Sequence, residues 1–255
     1  MILLFSGTGN TRRVAELLRN DGEQVIEMTR IPDAPLKVKE GERVVWMFPV
    51  YAWGMPRPVS RFIKSAIIES DVPHYMVCTC GDDIGLTHID WRRCIVRRGW
   101  RPVATFSVAM PNTYVLLPGF DVDPHDVVEA KLSALPARVD KIARAIRHGA
   151  RVDDVVPGAM AWIKSRILRP LFNAFLMSPK PFKALPTCVG CGRCARKCPM
   201  QNITMSNLTG GSPTPVWGKN CAMCLACYHG CPYHAVAYGS TTRHKGQYSG
   251  PMDVK

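Results

Sequence analysis

The chain has 255 residues, 47% of them hydrophobic, with 33 Lys and Arg against 20 Asp and Glu for a formal net charge of +13. That length suits a mid-sized domain followed by a small one, and no apolar run approaches the ~20 residues that span a bilayer. Met1 leads straight into Ile2-Leu3-Leu4-Phe5 without a basic stretch or cleavage site, so a cytoplasmic protein is expected, and its eleven cysteines point to metal or redox chemistry rather than disulfides.

Residues 2 to 5 read as a short buried strand, followed by Ser6-Gly7-Thr8-Gly9-Asn10-Thr11. A glycine- and hydroxyl-rich loop between a strand and a helix offers backbone N–H groups and a positive helix end to a phosphate. It lacks the Gly-Lys-Ser/Thr ending of a Walker loop, and Arg12 stands where a dinucleotide fingerprint needs its third glycine. What remains is similar to the flavodoxin type, in which Ser6, Thr8, Asn10 and Thr11, around Gly9, hold a terminal monophosphate by neutral hydrogen bonds. A purely structural turn is the alternative. A helix with Val14, Leu17 and Leu18 on its apolar face follows, then a strand near residues 24–28 and a polar loop over 31–41.

Val44 to Phe48 is the third predicted strand. It ends in Pro49-Val50-Tyr51-Ala52-Trp53-Gly54-Met55-Pro56, a proline-bounded aromatic loop at a strand's carboxyl end, where doubly wound sheets bind ligands. Tyr51 or Trp53 is placed to stack on a flavin ring. The fourth strand, residues 75–80, runs through Thr79 into Gly81-Asp82-Asp83-Ile84-Gly85, a third loop at the same end. Asp82 and Asp83 either act on the flavin electrostatically or cap the next helix, the cap being expected for at least one. Cys78, Cys80 and Cys94 lie outside the cysteine runs; Cys78 and Cys80, on one strand face, are expected as buried packing cysteines, with a redox role for Cys80 as the alternative. A fifth strand over residues 103–110 ends at Pro111-Asn112-Thr113-Tyr114, with Asn112 a further pocket residue. A long helix over residues 127–146 carries Arg138, Lys141, Arg144 and Arg147 on a face expected to be solvated. Strand and helix alternating five times predict an α/β fold, a doubly wound parallel five-stranded sheet in the order 2-1-3-4-5.

Residues 159–177 form an amphipathic connector helix with a kink expected at Pro170. It should pack on its own domains, with membrane-surface contact through Lys164, Arg166 and Arg169 as the alternative. The predicted organisation is a flavin-binding domain over 1–150, a helical connector over 151–181 and a small α+β domain with a tail over 182–255.

That last region holds one pattern twice. Cys188, Cys191, Cys194 and Cys198 precede Pro199, and Cys221, Cys224, Cys227 and Cys231 precede Pro232. This C-x2-C-x2-C-x3-C-P run is the bacterial ferredoxin arrangement for [4Fe–4S] clusters. Three thiolates at i, i+3 and i+6 wrap one cubane, while the fourth reaches the other cluster. Cys188, Cys191, Cys194 and Cys231 are therefore assigned to one cluster, and Cys221, Cys224, Cys227 and Cys198 to the second. Zinc ribbons use pairs of C-x2-C instead.

Taken together, the chain resembles fusions of a flavodoxin-like domain with a two-cluster bacterial ferredoxin. Phe5 to Thr11, Pro49-Val50-Tyr51 with Gly54 and Pro56, Met110-Pro111-Asn112 with Tyr114, and Ala235 to Gly239 with Thr242, Gln247 and Tyr248 carry the likeness. The resemblance implies FMN, two [4Fe–4S] clusters and electron transfer. Clusters and flavin phosphate, at about −2 each, would leave the holoprotein near +7. That balance suits acidic redox protein partners better than nucleic acid. A flavin-dependent reductase fed through the clusters is the alternative, with Tyr51, Tyr114 and His88 as possible proton donors. The oligomeric state is not legible.

Overall fold

The predicted apolar runs become adjacent strands of one sheet. The structure, a computed structural model, describes all residues except 31, 33, 70, 207–211 and 252–255. Strands β1 (Ile2–Leu4), β2 (Val25–Glu27), β3 (Val44–Pro49), β4 (Pro73–Cys80), β5 (Arg101–Ala109) and β6 (Asp153–Asp154) pair in parallel. Their order is β2-β1-β3-β4-β5-β6. Successive side chains leave a strand on opposite faces, and both faces here are buried. Leu3, Phe5, Trp46 and Phe48 meet Val59 and Phe62 of α2 (Arg57–Ser65) and Trp91 and Ile95 of α3 (Thr87–Arg97). Ile2, Leu4, Val45 and Met47 meet Val14 and Leu18 of α1 (Asn10–Leu18) and Val139 and Ile142 of α4 (His125–Arg147). Double burial explains why the central strands are almost continuously apolar.

A hydrogen-bonded polar pair sits inside this layer. Trp46 Nε1 donates to His74 Nδ1 at 2.9 Å, and the imidazole clusters with the Trp46 and Trp100 rings, which also touch each other. Burial, helped by the Arg101 charge, lowers His74 to about 4. It is therefore a neutral acceptor at physiological pH.

The sheet has six strands where five were expected. The added strand lies in the stretch read as helical connector, because two consecutive aspartates are poor strand formers. Side chains hold it: Thr105 and Arg92 donate to Asp153, and Arg138 and Lys141 pair with Asp154. Arg138 also donates to the Ser107 carbonyl. The basic face of α4 is thus only partly solvated. Within the stretch read as a loop over 31–41, Leu36–Lys37 pairs in parallel with Ile68–Glu69; residues 31 and 33 of that stretch lie outside the described residues.

The connector is helical from Ala161–Ile163 through a π turn at Lys164–Leu168 into Arg169–Phe175. The disturbance expected at Pro170 takes the form of that widened turn just before it, which relieves the clash between a proline ring and the preceding carbonyls. After it, β7 (Phe182–Ala184) pairs antiparallel with β10 (Val236–Tyr238), and β8 (Ile203–Ser206) with β9 (Thr214–Trp217). Short helices Arg193–Lys197 and Ala226–His229 lie between them in sequence. The tail then ties the cysteine-rich region to the loop after β5. Gln247 Nε2 donates to the Tyr228 carbonyl at 2.6 Å, and the Gly246 amide to Asp121 at 2.9 Å. The end of the tail, 252–255, lies outside the described residues. No helix among the described residues is long and apolar enough to cross a membrane.

Candidate functional site

At the carboxyl ends of β1, β3, β4 and β5 the loops enclose a cavity of about 370 Å³, within the range of small-molecule and cofactor sites. Ser6, Thr8, Asn10, Thr11, Pro49, Tyr51, Trp53, Thr79, Gly81, Asp82 and Asn112 all line it. Gly9, Gly54 and Gly85, named with them from the sequence, do not. Gly9 opens α1 with φ 103°. Gly54 lies under the Arg169 guanidinium, where a Cβ would come within 2.0 Å of Cζ. A Cβ on Gly85 would meet Ser165 Oγ at 2.4 Å. The last two glycines serve the packing of the connector helix.

The β1–α1 loop presents the free amides of a helix start. The Arg12 amide is taken by Ser6 Oγ at 3.3 Å and that of Arg13 by the Gly9 carbonyl at 2.9 Å. The Thr11 and Thr79 hydroxyls share a hydrogen bond of 2.8 Å, joining the first and third loops. Asn10 Nδ2 donates to the Pro111 carbonyl at 2.9 Å. Among the described residues its Oδ1 is buried without a partner, a cost that a ligand hydroxyl would relieve. Asn112 is engaged within its own loop, donating to Asp121 and Tyr114 carbonyls and accepting from the Tyr114 amide. Its part is to shape that loop.

The second loop is strained. Ala52 and Trp53 have φ of 45° and 56°, left-handed values that are uncommon for non-glycine residues. Mutual Tyr51 and Gly54 backbone hydrogen bonds close the turn. Neither Asp82 nor Asp83 caps α3, whose start at Leu86 has no side-chain cap. Asp83 instead accepts from the Gly85 amide and pairs with Lys164 of the connector, whose ammonium lies over the Trp53 ring. Cys80 is part of the wall, its thiol pushed up to about 12 by burial and by Asp83 and Asp82. Tyr114 also lines the cavity; His88 does not.

One side of the enclosure was not expected from the sequence. Lys164, Phe172 and Met177 close it from the connector, and Met223, Cys224 and Leu225 from the second cysteine run. Lys164 and Phe172 stand eight residues apart, about two helical turns, so a shared face was legible. That the face covers the cavity was not.

Seven of the eight cysteines fall into two neighbourhoods. Burial pushes the Cys194 thiol up, and Cys188 and Cys231 add to the effect. Burial likewise raises Cys221, Cys224 and Cys227, with Cys198 acting on all three. Cys227 also feels Cys194, so the two groups adjoin. Cys191 is at the surface. Such buried thiols resist ionisation unless a metal compensates the charge. Among the described residues no three Cys, His, Asp or Glu close around a single ion; a cubane binds each thiolate to its own iron and asks for a wider cage. Donors already face the sulfurs. The Asn202, Met223 and Ala235 amides point to Cys198, Cys221 and Cys231, and Trp217 Nε1 to Cys227, at 3.3–3.5 Å.

The two runs repeat in backbone as well as in sequence. Left-handed residues fall at Gly190, Gly192 and Gln201 in the first and at Met223, Leu225 and His234 in the second. These are the same offsets from the first and fourth cysteine of each run. Where the first run uses glycines, the second places Met223 and Leu225, at a cost of order 1 kcal/mol each, and both side chains line the cavity.

Comparison with known proteins agrees with this arrangement in part. A search of curated proteins found no match. Among solved structures the chain is similar to the Trp repressor binding protein from Bacillus subtilis, with 14% identity and a TM-score of 0.34 over 54% of this chain and 97% of that one. Residues 187–236 match the 4Fe-4S dicluster domain family, so an α/β sheet is followed here by a ferredoxin-like iron–sulfur region suited to electron transfer.

Proposed function

We propose that the protein is an electron-transfer iron–sulfur flavoprotein, similar to flavodoxin–ferredoxin fusions, with FMN in the cavity and two [4Fe–4S] clusters on the eight cysteines. The observation that carries the reading is the cavity wall itself, to which the second cysteine run contributes Met223, Cys224 and Leu225. Bound there, FMN would supply one- and two-electron exchange and the clusters single-electron transfer.

The chain's own residues divide the work. The amides and hydroxyls of the β1–α1 loop suit a phosphate, and the orphaned Asn10 Oδ1 suits a hydroxyl of the ligand's polyol chain. Tyr51, Trp53, Tyr114 and Phe172 supply aromatic walls for a planar ring and exclude water from it. Cys198, Cys221, Cys224 and Cys227 would hold the cluster beside the cavity, and Cys188, Cys191, Cys194 and Cys231 the outer one. Exposed Arg193, Arg196 and Lys197 lie just beyond exposed Cys191 in sequence, which suits docking of an acidic redox protein there.

Release of bound cofactor tests the flavin. Acid precipitation of protein purified without oxygen should liberate about one FMN per chain, identified by chromatography. Release of FAD, or of no flavin from protein with its full iron content, would overturn the assignment.

A further inference from the structure

The connector helix is amphipathic in the reverse sense. Its charged residues and Ser165 point inward and find partners there. Lys164 pairs with Asp83, and Arg166 grips both Asp90 oxygens at 2.6 and 2.8 Å. Ser165 Oγ accepts from the Leu86 amide at 2.8 Å, and Arg169 donates to the Met55 carbonyl at 3.1 Å. From 158 to 176 every exposed residue is apolar. Trp162 is 60% exposed and Phe175 77%, with Ile163, Ile167, Leu168 and Leu171 exposed between them. A surface helix ordinarily shows water its polar side, and a continuous apolar ridge of this kind marks a surface that something covers.

We propose that this ridge seats the protein on an anionic lipid surface. A protein partner would be met by a polar rim and about one hydrogen bond per 100–200 Å², and this face offers no polar side chain from 158 to 176. A second copy would bring a like net positive charge against the first, about +7 with cofactors bound, whereas an anionic membrane attracts that charge. Exposed Arg151 and Lys180 bracket the segment in sequence. At 15 residues from Ala161 to Phe175 the helix is about 22 Å long, too short to span a bilayer and suited to lying in its interface. The inner side of the same helix gives Lys164 and Phe172 to the cavity wall, so the seated element is also part of the cofactor enclosure.

Flotation of the full-length holoprotein with vesicles tests this. Vesicles containing phosphatidylglycerol should carry the protein up the gradient, pure phosphatidylcholine vesicles should carry much less, and salt should weaken the binding. The triple variant Ile167→Glu, Leu171→Glu, Phe175→Glu should lose more than about tenfold in vesicle affinity while keeping its cofactor absorbance, because all three side chains are exposed. The proposal is overturned if the wild type ignores both vesicles, if it binds neutral ones equally, or if the variant floats like the wild type. It is equally overturned if light scattering shows a wild-type dimer that the variant splits, since the ridge would then cover a second copy.

Discussion

The Cys198→Ser, Cys224→Ser double variant should lose one cluster, whereas the Cys231→Ser, Cys224→Ser double variant should lose both. Iron should fall from about eight atoms per chain to about four in the first protein and towards none in the second. The reason is the crossed ligand assignment proposed above. Cys198 follows the first run in sequence but acts on Cys221, Cys224 and Cys227, while Cys231 acts on Cys194. Pairing each run only with itself predicts the reverse, with both clusters lost from the Cys198 double variant. Because the iron counts of the two proteins exchange between the two schemes, each variant serves as the other's control. Cys224 is the right common partner. Its thiol is deeply buried and held up by that burial, so its replacement removes a ligand that no surface group can supply.

A single methyl at Gly7 should weaken flavin binding by about tenfold or more. The Cβ of Gly7→Ala would lie 2.7 Å from Cys224 Cβ, 3.0 Å from the Tyr51 hydroxyl and 3.1 Å from the Cys224 carbonyl. None of these is the end of a long flexible side chain, so the phosphate loop itself must move. Overpacking of this kind costs about 1–3 kcal/mol, and 1.4 kcal/mol is a factor of ten in affinity. Gly7 does not have a positive φ, so alanine meets no backbone penalty and the effect isolates close approach. Fluorescence titration of the flavin-stripped variant with FMN reads the loss, and iron content should stay at the wild-type level. Affinity equal to that of the wild type would mean that the loop and the cysteine run do not constrain each other.

Much of this was legible in sequence because the physics is local. The cysteine runs declare themselves by spacing, and their duplication extends to the left-handed positions 190 and 223. The strands around Leu3, Trp46 and Val77 are apolar on both faces because both faces are covered. The sixth strand was hidden because Asp153 and Asp154 are held by cations from α3 and α4 rather than by strand propensity. Gly54 and Gly85 looked like loop glycines of a binding site. A sequence shows that something comes close to a glycine, not what it is, and here Arg169 and Ser165 make the approach. The connector shows the same limit. Its helical period was readable, but the direction of its apolar side was not, since the half-buried acids Asp83 and Asp90 draw the cations inward.

The central claim is that one chain joins a flavin to two clusters, and an anaerobic dithionite titration followed by absorbance tests it most directly. A flavin band and a broad iron–sulfur shoulder should bleach together, complete at about four electrons per chain, two for the flavin and one for each cluster. Bleaching of the shoulder alone at about two electrons would contradict it and leave the cavity to some other ligand.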